Sequence, residues 1–163
     1  MKLSDLGYPP EFIELAGGDF DLYPHQQDAL KKLKENRNLI VTVPTAAGKT
    51  LIAYSAIFDM LKSGKKCLYI VPLKALAFEK YEEMKVLRKL GAKLTIATGD
   101  YDSSASFVRN FDIIICTSEK ADSMIRHDPS ILFDVGLIVA DEAHLIGDPG
   151  GVQGSRWYSP PQE

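Results

Sequence analysis

The chain has 163 residues, 45% hydrophobic and 25% charged, which are ordinary values for one globular domain. Its net charge of −3 means that any surface for a nucleic acid must be local. No apolar run reaches the roughly 18 residues of a membrane span, and the first residues lack the apolar core of a secretory signal. Cys67 and Cys116 lie in apolar runs, which predicts buried reduced thiols. We therefore expect a cytoplasmic protein with no membrane association.

Two helices are predicted before residue 35. Pro9 and Pro10 can open a short helix through Leu15, and Pro24 suits the first turn of a second helix. Gln26 lies in this first turn, and its amide can both donate and accept, so it can read an adenine edge. On residue chemistry alone, the alternative is a plain helix start with a polar face.

The stretch from Val43 to Thr50, Val-Pro-Thr-Ala-Ala-Gly-Lys-Thr, has the pattern of a phosphate-binding loop. The apolar run 39–43 before it has the composition of a strand, and a helical pattern runs from about 49 to 63 after it. A strand, a tight loop and a helix N-terminus in this order direct backbone N–H groups and the helix dipole at one point. The alternative is a glycine that merely starts a helix.

Each residue of this loop has an expected role in binding ATP and Mg²⁺. Lys49 would reach the β- and γ-phosphates and assist catalysis, and the Thr50 hydroxyl would ligate the metal. The rest of the loop would approach the phosphates through its backbone: Thr45, Ala46, Ala47 and Gly48.

Four further apolar runs alternate with helical patterns and predict strands. They are 68–71, 93–97, 112–116 and 135–140. Helices are expected from the stretch after Pro72 to about Leu90, and from an N-cap at Ser118 through Arg126. With the run at 39–43, the total is five strands. Their continuous Val, Ile and Leu content predicts an α/β fold with a parallel sheet flanked by helices, whose ligands bind beyond the carboxyl ends of the strands.

Asp141 and Glu142 follow the last predicted strand. At this position Asp141 would hold Mg²⁺ together with Thr50, between the β- and γ-phosphates. Glu142 can orient a water in line with the γ-phosphorus and take its proton, which predicts hydrolysis. The alternative is an acidic surface turn, and His144 has no firm role.

These residues together resemble a superfamily 2 helicase of the DEAH type, above all the archaeal DNA-repair helicases related to the helicase part of DNA polymerase theta. Residues 23–26 resemble the adenine-reading Q motif, 44–50 motif I, and 141–144 motif II. Residues 72–80 resemble motif Ia, and the stretches 98–102 and 117–122 resemble loops that grip single-stranded nucleic acid. The resemblance implies nucleic-acid contacts from Pro72, Lys74, Lys80, Gly99, Asp100, Thr117, Ser118 and Lys120.

The resemblance also implies a RecA-like ATPase motor domain over residues 1–147, incomplete at its carboxyl side and followed by an irregular tail at 148–163. Its cofactors would be ATP and Mg²⁺, and its partner single-stranded or forked DNA in repair or replication. A second RecA-like domain and accessory domains would be missing. Ala47, His25 and Ala143 stand where the family commonly has other residues. Two alternatives stay open: a motor domain of an RNA helicase or duplex translocase, and a non-catalytic nucleotide-binding module.

Overall fold

The computed structural model of the protein describes residues 1–35, 38–44, 48–99 and 105–143. The chain divides into two compact units, Met1–Gly64 and Lys65–Glu163. We call the first the helical unit and the second the sheet unit. In the described part of the chain, no helix combines the length and the apolar character that crossing a bilayer demands.

The helical unit consists of a short 3₁₀ turn and three α-helices. They are Ser4–Leu6, α1 (Pro10–Leu15), α2 (Pro24–Lys34) and α3 (Lys49–Lys62). Prolines occupy the first turns of α1 and α2, where a missing N–H costs nothing. Gly48 precedes α3 and Gly64 follows it, both in the left-handed conformation with φ of +77° and +71°. The predicted bounds of α1 and α3, and the predicted start of α2 at Pro24, are confirmed to within a residue or two.

An aromatic cluster holds the helical unit together. The ring of Phe12 lies 4.8 Å from the rings of both Tyr8 and Phe58, centroid to centroid. The hydroxyl of Tyr8 donates to Asp59 of α3 at 3.2 Å, and Lys34 of α2 pairs with the same carboxylate at 2.9 Å. Burial, with the nearby charge of Asp59, raises the pKa of Tyr8 well above its usual value. These contacts join the ends of α2 and α3 that lie away from Gln26 and Lys49.

The described residues of the sheet unit form four parallel strands in the order β2-β3-β1-β4. Its elements are β1 (Lys66–Val71), α4 (Lys74–Met84), a 3₁₀ helix Lys85–Leu90, β2 (Leu94–Ala97), α5 (Ala105–Val108), β3 (Ile113–Thr117), α6 (Ser118–His127), a 3₁₀ helix Pro129–Phe133 and β4 (Val135–Ala140). All residues of β3 are buried, because helices cover both faces of the sheet. The predicted α/β class with a parallel, helix-flanked sheet is confirmed.

The core of the sheet unit is aliphatic and contains both cysteines. On one face, Leu68 and Ile114 pack with Ala121 and Met124 of α6. Cys67 and Cys116 are free thiols with no exposed surface. Burial raises the pKa of both, that of Cys116 to about 12, so they are not reactive thiolates in the folded chain.

The predicted strand at 39–43 is wrong. Residues 38–44 carry no strand, although their side chains alternate between half-buried and exposed. Ile40 is 91% exposed. A β-branched composition favours a strand only where a neighbouring strand completes the ladder, and the ladders in the described residues join β1–β4 alone.

Two smaller expectations are corrected. The helix after β1 is not continuous to Leu90, because it tightens into a 3₁₀ helix at Lys85 that ends where the N–H of Gly91 donates to the carbonyl of Arg88. The N-cap of α6 is Thr117 rather than Ser118. The backbone of Thr117 is extended, and its hydroxyl accepts a hydrogen bond from the N–H of Lys120 at 3.3 Å.

Candidate functional site

Gln26 joins the start of α2 to the start of α3 within the helical unit. Its Oε1 accepts a hydrogen bond from the N–H of Tyr23 at 3.0 Å, and its Nε2 donates to the carbonyl of Gly48 at 3.3 Å. The residue is only 3% exposed. An amide offers two lone pairs and two hydrogens, which is twice what these bonds use. Gln26 therefore stabilises the start of α2, and its recognition of adenine stays a prediction.

Lys49 and Thr50 are the first two residues of α3. Gly48 precedes them in the left-handed conformation and makes no side-chain cap, so the first N–H groups of a 14-residue helix are directed outward. Lys49 is half-buried and Thr50 exposed. Thr45, Ala46 and Ala47 lie outside the described residues, as do Asp100 and His144.

The remaining candidate residues lie at the carboxyl edge of the sheet unit. Because its four strands are parallel, the segments that follow them begin at the same edge. Pro72 and Lys74 follow β1, Gly99 follows β2, Ser118 and Lys120 follow β3, and Asp141 follows β4. The fold therefore brings the proposed metal ligand and the proposed nucleic-acid contacts of this unit to one edge.

Asp141 is held at both its backbone and its carboxylate. Its N–H donates to the carbonyl of Ile70 at 2.9 Å, which extends the pairing of β4 with β1 by one bond. Oδ2 accepts a hydrogen bond from the hydroxyl of Tyr69 at 2.7 Å, and Oδ1 accepts one from the N–H of Glu142 at 2.9 Å. The side chain keeps 21% of its surface exposed. The carboxylate is thus oriented by protein donors and still accessible.

Lys80, on α4, lies close to this carboxylate. Its Nζ is 2.9 Å from Glu83 Oε2 and 3.9 Å from Asp141 Oδ2, and its side chain is 17% exposed. Burial by itself lowers the pKa of Lys80, but the hydrogen bond and charge of Glu83, with the charges of Asp141 and Glu79, outweigh it and raise the pKa. Its predicted contact with a nucleic acid stays a prediction, and it requires the ammonium to leave Glu83.

Glu142 has a strained backbone. Among the described residues it is the one non-glycine with a positive φ, at +52°. A side chain in the left-handed region costs about 1–2 kcal/mol, because Cβ crowds the following carbonyl. Such strain gathers at functional sites, where the surrounding structure holds it in place.

The nucleic-acid candidates differ in accessibility. A Cβ built on Gly99 would lie 3.9 Å from Nζ of Lys74, so this ammonium reaches the segment after β2. Thr117 and Ser118 are each 6% exposed, and the Thr117 hydroxyl already caps α6. At this end of α6, the groups suited to contact a nucleic acid are therefore backbone N–H groups and the half-buried Lys120.

The residue types expected to hold Mg²⁺ are suited to an ion bound through a nucleotide. Asp141 of the sheet unit has a carboxylate and Thr50 of the helical unit a hydroxyl oxygen, and Mg²⁺ accepts both kinds of ligand. That these two residues share one ion stays a prediction. Within the described ranges, no three His, Cys, Asp or Glu side chains gather into a metal cluster.

Sequence patterns did not single out Tyr69. It is 4% exposed and interrupts an otherwise aliphatic strand, and a buried phenol normally requires a hydrogen-bond partner. A tyrosine within an apolar strand was therefore the sequence signal that a polar partner lies nearby. Only the register, which sets Tyr69 opposite Val139 and so on the same face as Asp141, identifies the partner.

The chain matches a known protein family. Residues 23–158 match the family model described as DEAD/DEAH box helicase, which is well over half of the chain. The chain therefore belongs to the DEAD/DEAH box helicase family, and the family resemblance found in its motifs is confirmed.

The relatives to which the chain is similar include two named as DNA helicases. The chain is 52% identical to the ATP-dependent DNA helicase Hel308 of Thermoplasma volcanium and 54% identical to that of Thermoplasma acidophilum, over 149 residues each. Both alignments cover 91% of this chain and 22% of the relative, so the chain spans about a fifth of their length. The crystal structure of the DUF1998 helicase MrfA matches with a TM-score of 0.69 and 29% identity, over 84% of this chain and 24% of that one.

Proposed function

We propose that this chain is the ATP-binding part of the motor of an ATP-dependent DNA helicase that acts on single-stranded or forked DNA in repair or replication. The observation that carries the proposal is the carboxyl edge of the sheet unit. There, Asp141 and the candidate nucleic-acid contacts follow adjacent strands of one sheet. The names of the relatives support DNA rather than RNA as the substrate.

In the helical unit, the roles proposed for nucleotide binding are distributed over two helix starts. Backbone N–H groups at the start of α3, with the Lys49 ammonium, would bind the phosphates. Gln26 would select adenine, since a buried amide left without its base loses hydrogen bonds. The bond from Gln26 to Gly48 supports this division, because it joins the proposed base-reading residue to the loop.

In the sheet unit, Asp141 would bind the metal and Glu142 would act on water. Mg²⁺, when bound, neutralises charge on the β- and γ-phosphate oxygens. The carboxylate of Glu142 would orient the attacking water and hold its proton. The strained backbone of Glu142 supports a functional rather than a structural role.

The DNA contacts proposed here are electrostatic. Lys74, Lys80, Lys120 and the first N–H groups of α6 would bind backbone phosphates. The further contacts proposed with the strand are Pro72, Gly99, Asp100, Thr117 and Ser118. Such contacts carry no sequence information. The cytoplasm is the proposed location, and two free buried thiols fit its reducing conditions.

Nucleotide binding is tested by titrating a fluorescent ATP analogue against the wild-type chain and two lysine variants of α3. Lys49→Ala should lose about 1.5–3 kcal/mol of binding free energy, since a charge-assisted contact to phosphate disappears. Lys62→Ala, in the last turn of the same helix, should bind as the wild type does. Equal affinity of all three proteins for the ATP analogue would contradict the prediction that residues 43–50 form a phosphate-binding loop.

Hydrolysis is tested on this chain and on one extended to the length of its relatives. We propose that the extension supplies a second RecA-like domain whose arginine accounts for about 10³–10⁵ in rate. The short chain should therefore hydrolyse ATP near background and unwind nothing. In the long chain, Glu142→Gln should bind MgATP but hydrolyse it far more slowly. Wild-type turnover by that variant would exclude Glu142 as the base, and binding without turnover by the long wild type would favour the non-catalytic alternative.

DNA binding is tested by the salt dependence of affinity for single strands. Lys74→Ala should weaken binding to all sequences alike and reduce the salt slope by about one unit. Lys89→Ala, in the 3₁₀ helix after α4, is the matched control. A sequence-dependent loss would indicate base contacts instead.

A further inference from the structure

From residues that the structure describes, the carboxylate of Asp141 accepts two hydrogen bonds, and they differ in kind. The N–H of Glu142 reaches Oδ1 from the adjacent residue, so any folded backbone of this shape provides it. The hydroxyl of Tyr69 reaches Oδ2 at 2.7 Å from a different strand. This distance is that of a charge-assisted bond from a hydroxyl to a carboxylate. Only the second bond depends on the identity of one side chain.

The position of Tyr69 is fixed by the sheet. It lies within β1, 4% exposed, opposite Ile115 of β3 on one side and Val139 of β4 on the other. Asp141 follows Val139 by two residues and so lies on the same face of the sheet. A phenol held in this way delivers its O–H to one point, whereas a water in the same place would be free to move.

The two oxygens of Asp141 are therefore not equivalent. Tyr69 donates to Oδ2, and the Lys80 ammonium lies 3.9 Å from the same atom. Oδ1 accepts its hydrogen bond from the backbone N–H of Glu142, a donor that carries no formal charge. A cation approaching Oδ2 would meet another positive charge, so Oδ1 is the oxygen suited to a metal.

We propose that Tyr69 is a positioning residue of the metal site, which fixes the rotamer of Asp141 so that Oδ1 is presented to Mg²⁺ bound with a nucleotide. The inference rests on the proposed metal role of Asp141. Donors that orient a ligating carboxylate typically account for about 10–100-fold in metal affinity. Tyr69 should act on metal dependence and leave the metal-free contacts of the nucleotide unchanged.

The test measures binding of a fluorescent ATP analogue to the full chain while Mg²⁺ is titrated, and again in EDTA. Tyr69→Phe should raise the Mg²⁺ concentration at half-saturation about 10–100-fold and leave the affinity in EDTA as it was. Tyr81→Phe is the matched control, because it removes a phenol of α4 that bonds Arg88 and not Asp141. Replacing Tyr69 by 4-aminophenylalanine, which keeps a donor on the same ring, should restore the Mg²⁺ response.

Asp141→Asn separates failure of this inference from failure of the proposed function. If Asp141→Asn leaves the Mg²⁺ dependence intact, the metal role of Asp141 is wrong. If Asp141→Asn abolishes that dependence but Tyr69→Phe does not shift it, the metal role stands and the positioning role of Tyr69 is wrong. Thermal unfolding checks each variant. If Tyr69→Phe does not fold, 4-fluorophenylalanine, which keeps the ring size and donates nothing, takes its place with the same expected outcomes.

Discussion

The run at 39–43 and strand β3 are built from the same kinds of residue, yet they end in different structures. Leu-Ile-Val-Thr-Val and Ile-Ile-Ile-Cys-Thr are both β-branched and apolar. β3 pairs with a strand on each side and is fully buried, whereas residues 38–44 lie in no ladder and expose Ile40 by 91%. Composition therefore indicates which segments can become strands, and pairing with at least one neighbouring strand decides which of them do.

Shortening one isoleucine in each of these two segments tests the difference in their burial. Ile114→Ala should lower the free energy of unfolding by about 2–5 kcal/mol, because it leaves a cavity under α6. Ile40→Ala should change it by less than about 0.5 kcal/mol, because that side chain is exposed. Chemical denaturation of both variants gives the two numbers. A loss at Ile40 as large as that at Ile114 would show that the run is a buried strand after all.

A second prediction concerns the end of this run, where the loop reaches α3. Gly48→Ala and Gly64→Ala both place a side chain at positive φ and should each cost about 1–2 kcal/mol of stability. A Cβ at Gly48 would also come within 2.2 Å of Gln26 Nε2, whereas one at Gly64 meets nothing within 4 Å. Only Gly48→Ala should therefore weaken binding of the fluorescent ATP analogue. Equal binding by the two variants would mean that the contact between Gln26 and Gly48 does not matter for the nucleotide.

The third prediction concerns Glu142, which follows the last backbone bond between β4 and β1. The backbone of Glu142 is strained directly after β4, so Glu142→Gly should raise the free energy of unfolding by about 0.5–1 kcal/mol while removing the proposed base. Ala143→Gly is the control, because the backbone there is not at positive φ and glycine only adds freedom to the unfolded chain. Destabilisation by both substitutions would contradict the strain at Glu142.

The smallest expected effect is the pH dependence contributed by Lys80. Its pKa is raised in the folded chain, so its stabilising contribution is complete below the unfolded value of about 10.4 and is lost as the pH rises through the folded value. The difference in stability between wild type and Lys80→Met should be about 0.2–0.5 kcal/mol at pH 8 and shrink above pH 10. Lys85→Met, which removes an exposed partner of Glu82, gives the baseline. A difference that does not change with pH would exclude the ion pair as its cause.

The sequence predicts most strands and helices of the sheet unit, because hydrophobic pattern and turn residues along a short stretch of chain determine them. The apolar run 135–140 predicts the bounds of β4, and the charge of Asp141 marks the end of that strand. The partners of that aspartate could not be predicted. Tyr69 is far away along the chain, and it reaches Asp141 only through the order and register of the strands. The bond from Gln26 to Gly48 could not be predicted either, because it depends on how the starts of α2 and α3 pack together.

The two buried thiols can be used to measure how often the sheet unit opens. Both cysteines of the chain lie on adjacent inner strands, and the helical unit contains none. A thiol-modifying reagent can reach them only when the sheet opens, so the rate of alkylation at low denaturant measures that opening without any introduced label. Added nucleotide or DNA that stabilises the sheet unit should slow the modification, and mass spectrometry of the intact chain would read the protection directly.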